Sequence, residues 1–166
     1  HGIKSIRLPG FRPRRERKAY AFSAGYYAIS ATLLQGNYVL TFGRWNAVYE
    51  RVYQTKFHNV RLFEDAAADP GRRTELLRQK PLDFWRKEYT TYDYFRFGRL
   101  CAWLRGHGDP PHHVGHSILI WKLSHADLQA ALLGPPPEML DPPAEWLELI
   151  GLGPLVRSAD FQSSLS

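Results

Sequence analysis

Between Ala19 and Gly43 the chain runs for 25 residues without a charged side chain, flanked by Lys18 and Arg44. A stretch of this kind leaves water, either for a bilayer or for a protein core. Its length and basic flanks suit a membrane-spanning helix. Its content does not. Ser23, Gly25, Ser30, Thr32, Gln35, Gly36 and Asn37 interrupt it, and Tyr20, Tyr26, Tyr27 and Tyr38 are scattered along it rather than gathered at two interfaces. The residues read instead as two buried strands separated by Gln35-Gly36-Asn37. Residues 26–34 make the better strand, with Ile29, Ala31 and Leu33 on one face and Ala28, Ser30, Thr32 and Leu34 on the other. Both faces are small or apolar, as in a strand covered on both sides.

The second half has sharper signals. Phe97, Leu100, Cys101 and Leu104 follow helical spacing, while Arg96, Arg99 and Arg105 are placed off that stripe; a helix over 92–105 ends at Gly106 and Gly108. Residues 114–123 read as a buried strand. Ser124 with Asp127 forms a capping box ahead of Leu128, Ala131 and Leu132. Asp141-Pro142 opens a further helix carrying Trp146, Leu149 and Ile150. Earlier, Trp45, Val48, Tyr49 and Val52 share a helical face, residues 65–73 read as a surface connection, and residues 57–90 as a variable insert with at most a short helix before Pro81. Strands separated by helices favour an α/β class: a small layered domain with a mostly parallel or mixed sheet and flanking helices. Two strands are few for such a sheet. Residues 38–42, residues 3–8 or strands lost upstream would complete it; with His1 in first place, the expectation is an incomplete fragment. With 166 residues and 44% hydrophobic content, residues 1–157 are expected to form one domain and 158–166 a tail.

The net charge of +6 comes from one place. Residues 1–18 hold Lys4, Arg7, Arg12, Arg14, Arg15, Arg17 and Lys18 against Glu16 alone, 7 − 1 = +6, and the rest of the chain balances. A basic arm of this kind attracts anionic surfaces, and Arg12, Arg14, Arg15, Arg17 and Lys18 are its candidate contacts. Nucleic acid is the less favoured partner, because no aromatic side chains sit between these arginines to stack on bases.

Catalytic signatures are missing. The single cysteine, Cys101, excludes an internal disulfide and a four-cysteine zinc site and lies on an apolar helix face, where a thiol is inert packing. There is no Gly-x-Ser-x-Gly elbow and no glycine-rich phosphate loop. His112, His113 and His116 cluster, but at a spacing that fits no closed metal site. No catalytic residue, metal or cofactor is assigned to the chain itself.

Three stretches together resemble a known family. Tyr27-Ala-Ile-Ser-Ala-Thr-Leu-Leu-Gln-Gly36, Arg99-Leu-Cys-Ala-Trp-Leu-Arg105 and Val114-Gly-His-Ser-Ile-Leu-Ile-Trp-Lys-Leu123 are similar to the C-terminal soluble region of bacterial family-39-type membrane glycosyltransferases, a group that includes protein mannosyltransferases and the aminoarabinose transferases of lipid A. The opening His1-Gly-Ile3 and the Leu8-Pro9 step fit the same region. The likeness covers about 1–36 and 92–134. Residues 37–91 depart from shorter relatives, and the family's Asp-Trp-Gly-Gln-Asp-Leu stretch is absent.

The resemblance implies an accessory extracytoplasmic domain of an enzyme that takes a sugar from a polyprenyl-phosphate carrier. Its catalytic acid would lie in an upstream extracytoplasmic loop, so this piece alone would not transfer sugar. The implied partners are the upstream transmembrane region, the lipid-linked sugar and anionic head groups; the implied location is the periplasmic side of a bacterial cell membrane. Ser30, Thr32, Gln35, His116 and Ser117, polar groups at strand ends, are the candidate positioning residues. The competing role for them is to satisfy strand-end backbone hydrogen bonds. The second expectation is an independent α/β binding module whose basic arm contacts an anionic membrane or polymer.

Overall fold

A computed structural model describes residues 22–36, 41, 43–108, 110, 112–115 and 117–139. The chain enters through strand β1 (Gly25–Ser30) and turns at once into a single helical turn, α1 (Ala31–Leu34). Three helices follow: α2 (Ala47–Asp65), α3 (Pro70–Gln79) and the 25-residue α4 (Leu82–Gly106). A short β2 (His112–Val114) and β3 (Ile118–Leu123) then lead into α5 (His125–Leu133).

Local chemistry explains most of the helix starts. The Asn46 side chain accepts the Tyr49 N–H at 3.0 Å and opens α2. Asp69 accepts the Arg72 N–H at 3.1 Å, and Pro70 occupies the first turn of α3, where its missing N–H costs nothing. Ser124 and Asp127 form a reciprocal capping box at the start of α5, as their spacing predicts.

The sheet runs in the order β1-β3-β2, and both pairings are antiparallel. Tyr27 stands opposite Trp121, Ile29 opposite Leu119, and Ser30 opposite Ile118. One sheet face packs on α4 and α5: Tyr27, Ile29, Trp121 and Leu123 share a core with Phe97, Leu100, Cys101, Leu104, Leu128 and Ala131. The far side of α4 packs on α2, where Tyr92, Phe95 and Ala102 meet Trp45, Tyr49, Val52, Tyr53 and Val60. Near its start, Trp85 stacks on Phe63 with ring centroids 4.7 Å apart, closing a third cluster with Ala66 and Leu76. Helix α4 is therefore a central layer, buried on opposite faces.

The expected α/β class with a mostly parallel or mixed sheet is overturned. Helix takes up 64% of the described residues, and the sheet among them is three short antiparallel strands. Parallel pairing follows from strand–helix alternation only where one helix carries the chain back to the starting end of the sheet. Here four helices lie between β1 and β3, and the chain returns from the opposite direction. The strand read over 114–123 is two, broken at Gly115, whose φ of +57° makes the hairpin turn. The strand read over 26–34 stops at Ser30. The insert over 57–90 is helical for most of its length, and the helix placed at 92–105 starts ten residues earlier. Residues 3–8, and 38–40 and 42 of the 38–42 segment, considered for the sheet, and the helix expected after Asp141 lie outside the described residues; Thr41 is buried but not in a strand. Among the described residues no helix is long and apolar enough to cross a membrane.

Leu100 is fully buried where α4 meets the sheet. Leu100→Ala is expected to cost about 2–5 kcal/mol, read as a lower denaturant midpoint with an unchanged slope.

Candidate functional site

Of the residues singled out from the sequence, Ser30, Thr32, Gln35 and Ser117 are described, and they lie at and around the end of β1 and the entry of β3. Ser30 ends β1 and caps α1, its hydroxyl accepting the Leu33 N–H at 3.2 Å. The Ala31 N–H donates to the Ser117 carbonyl at 2.8 Å, which fastens the start of α1 to the entry of β3. Thr32 and Gln35 are exposed on and just after α1, and Ser117 is exposed beside them. Ser30, Thr32, Gln35 and Ser117 are thus neighbours, with Ser30 engaged in capping. His116 and the arm residues Arg12, Arg14, Arg15, Arg17 and Lys18 lie outside the described residues.

A larger polar network lies deeper. Arg99 is completely buried. Its Nε donates to Glu50 Oε2 at 2.9 Å, and its two terminal nitrogens donate to the carbonyls of Ala131 and Gly134, the latter at 2.7 Å. Its guanidinium also lies over the Tyr53 ring, 5.4 Å from the centroid. Glu50 takes two more donors, Trp45 Nε1 at 2.8 Å and Gln54 Nε2 at 2.7 Å. The Tyr53 hydroxyl donates to the Leu132 carbonyl at 3.0 Å. Burial, then the neighbouring Tyr92, push the Tyr53 phenol far above its ordinary value, so it remains a proton donor. Together Arg99 and Tyr53 satisfy carbonyls that the end of α5 leaves without intrahelical partners.

A second arginine secures the chain beyond α5. Arg105 meets Glu138 through two nitrogens, at 3.0 and 3.3 Å, and also donates to the Leu34 carbonyl. Glu138 accepts the Trp45 backbone N–H at 2.8 Å and has Arg44 at 3.7 Å. Burial raises the Glu138 carboxyl, but the bonds from Arg105 and Trp45 and the charges of Arg105 and Arg44 outweigh it and hold the group below the usual glutamate value. Elsewhere Glu88, nearly buried on α4, accepts Lys56 Nζ at 2.6 Å and Asn59 Nδ2 at 2.7 Å, both from α2.

The work of these groups is mechanical: they join backbone ends and helices. Cys101 is equally passive, since burial pushes its thiol up to about 12 despite the nearby Arg105. Sequence reasoning placed Arg99 away from the apolar stripe of 97, 100, 101 and 104. The signal for its burial is a second stripe, Tyr92-Phe95-Arg99-Ala102, spaced 3, 4 and 3 along the same helix.

Removing one partner of the Arg99–Glu50 pair strands the other charge out of water. Arg99→Met is expected to cost about 3–5 kcal/mol, and adding Glu50→Gln recovers part of that loss in chemical denaturation. Glu138 makes stability depend on pH. Its contribution is complete above the ordinary glutamate pKa of about 4.3 and disappears as pH falls through its depressed folded value. Glu138→Gln should flatten the acid limb of the stability profile between about pH 5 and pH 3, measured against the parent chain.

Comparison with protein-family models, with curated proteins and with solved structures finds no match to this chain.

Proposed function

We propose that this chain serves as an accessory extracytoplasmic domain of a membrane glycosyltransferase that uses a polyprenyl-phosphate sugar, the catalytic acid being supplied by a membrane part outside these residues. One observation carries the reading. The three stretches with the resemblance, 27–36, 99–105 and 114–123, are far apart in sequence, yet their side chains fill one core: Tyr27, Ile29 and Leu34, then Leu100, Cys101 and Leu104, then Trp121 and Leu123. Segments that carry the resemblance and also share a core are what one conserved packing unit would look like, with α2 joined to it through Glu50 and Arg99. On this reading the domain sits on the periplasmic side of a bacterial membrane and helps to position carrier or acceptor. The exposed polar side chains Thr32 and Gln35 of α1 and its cap, with Ser117 at the entry of β3, serve that task. Its partners are the transmembrane region and the lipid-linked sugar.

The test is the reading frame upstream of His1, followed by assay of the whole protein in membranes. Several hydrophobic spans with an acidic residue in an early extracytoplasmic loop are expected. Removing residues 22–139 should lower sugar transfer at least tenfold, and Thr32→Ala/Gln35→Ala should raise KM more than it lowers kcat. A start codon close to His1, or transfer indifferent to the deletion, overturns the reading.

A further inference from the structure

The sheet has a second face, and its composition is unusual. In a half-exposed antiparallel sheet the outward positions are ordinarily polar. Here five of the eight outward positions on β1, β2 and β3 are apolar: Tyr26, Ala28, Val114, Ile118 and Ile120. Tyr26 is 70% exposed and Val114 61%. Lys122 completes the patch, its ammonium 5.9 Å from the centre of the Tyr26 ring. The remaining two outward positions are Ser30 and His112.

Charge decides what such a face fits. The three strands contain no Asp or Glu. The basic run at 1–18 ends at Lys18, seven residues before Gly25, so the chain length keeps Lys18 within about 25 Å of β1 and Arg12 within about 45 Å. A second copy laid on this face would bring two such runs and two Lys122 ammonium groups together, which like-charge repulsion opposes. An anionic bilayer offers the complement: apolar depth for the aliphatic side chains, an interface suited to a tyrosine ring, and phosphates for the lysine.

We propose that the outer face of the sheet, centred on Tyr26, Val114, Ile118, Ile120 and Lys122, docks on an anionic lipid surface. The apolar residues enter the interface, and Lys122 meets the head groups from the same side. The binding needs neither a sugar donor nor an upstream catalyst, so it is tested separately from the transferase reading, and either can fail without the other.

The experiment is sedimentation of the 166-residue chain with vesicles, one set containing about one third phosphatidylglycerol and one set of phosphatidylcholine alone. Partitioning onto the anionic vesicles is expected to be at least tenfold stronger. Tyr26→Ser/Val114→Ser should reduce it a further tenfold with an unchanged circular dichroism spectrum and melting temperature. Lys122→Gln should reduce it roughly fivefold, the value of one basic residue near an anionic surface. Should the double variant fold poorly, Tyr26→Thr keeps a strand-forming residue and is expected to weaken binding at least threefold. Absence of binding, equal binding to both vesicle types, or binding unchanged by folded face variants overturns the proposal. So does a dimer in sedimentation equilibrium that the face variants convert to monomer, since that assigns the face to a second copy.

Discussion

A guanidinium removed from water must be met by a carboxylate and by enough acceptors for its remaining N–H groups. Arg99 meets this condition only through groups brought from three places at once. Glu50 comes from α2, the Ala131 carbonyl from α5, and the Gly134 carbonyl from the turn that ends it. The requirement fixes the rotation of α4 about its axis. With Arg99 pointing at this junction, Phe97, Leu100, Cys101 and Leu104 necessarily face the sheet, while Tyr92, Phe95 and Ala102 face α2. An apolar side chain at position 99 would pack without specifying that rotation; the paired arginine specifies it at a cost in desolvation.

The same geometry accounts for the direction of the strands. Helix α5 is joined to β3 by the Ser124 cap, and its far end is held by Arg99 and Tyr53. Arg105 and Glu138 then tie the following chain to the end of α1 and the start of α2. The first and last described parts of the chain therefore meet along the C-terminal half of α4. In this closed arrangement β1 enters and β3 leaves along neighbouring lines in opposite senses, and antiparallel pairing results.

Local signals were legible in the residues, and long-range consequences were not. The Ser124–Asp127 box, the buried Cys101, and the helical face of Trp45, Val48, Tyr49 and Val52 could be read from spacing and residue type. The start of α4 could not, because its apolar face changes partner: Trp85 serves the α2–α3 side, Leu104 serves the sheet, and a single-stripe template detects only the second half. The sheet's sense was misread because alternation of strands and helices does not record how many helices the chain uses to return. In sequence Ser30, Thr32, Gln35 and Ser117 read as strand-end polar groups; only Ser30 ends a strand and Ser117 directly precedes one, while Thr32 lies in α1 and Gln35 caps it, because the sequence could not say that β1 stops at Ser30 and that the Ser30 hydroxyl is already engaged in a cap. Glu50 and Arg99 were overlooked for a physical reason: charge is normally a marker of solvent, and their burial becomes plausible only when each is seen in the other's company.

The layer order also bears on which surfaces are free for partners. One face of α4 is consumed by the sheet and the opposite face by α2, with Lys56, Asn59 and Glu88 adding a polar clasp on that side. Residues 45–79 are thus bound into the fold through α4 and cannot move as a loose appendage without uncovering Tyr53, Tyr92 and Phe95. Helix α5 lies on the same side of the sheet as α4. Among the described residues no helix packs on the outer side of the strands, where Tyr26, Ala28 and Val114 are exposed and Ile118 and Ile120 half-buried. Tyr26 and Val114 are the two most exposed of the described large apolar side chains, and they stand on one sheet face, whereas Leu77, Leu82, Leu133 and Met139 are exposed elsewhere; apolar groups gathered on one face forgo a burial that another surface can supply.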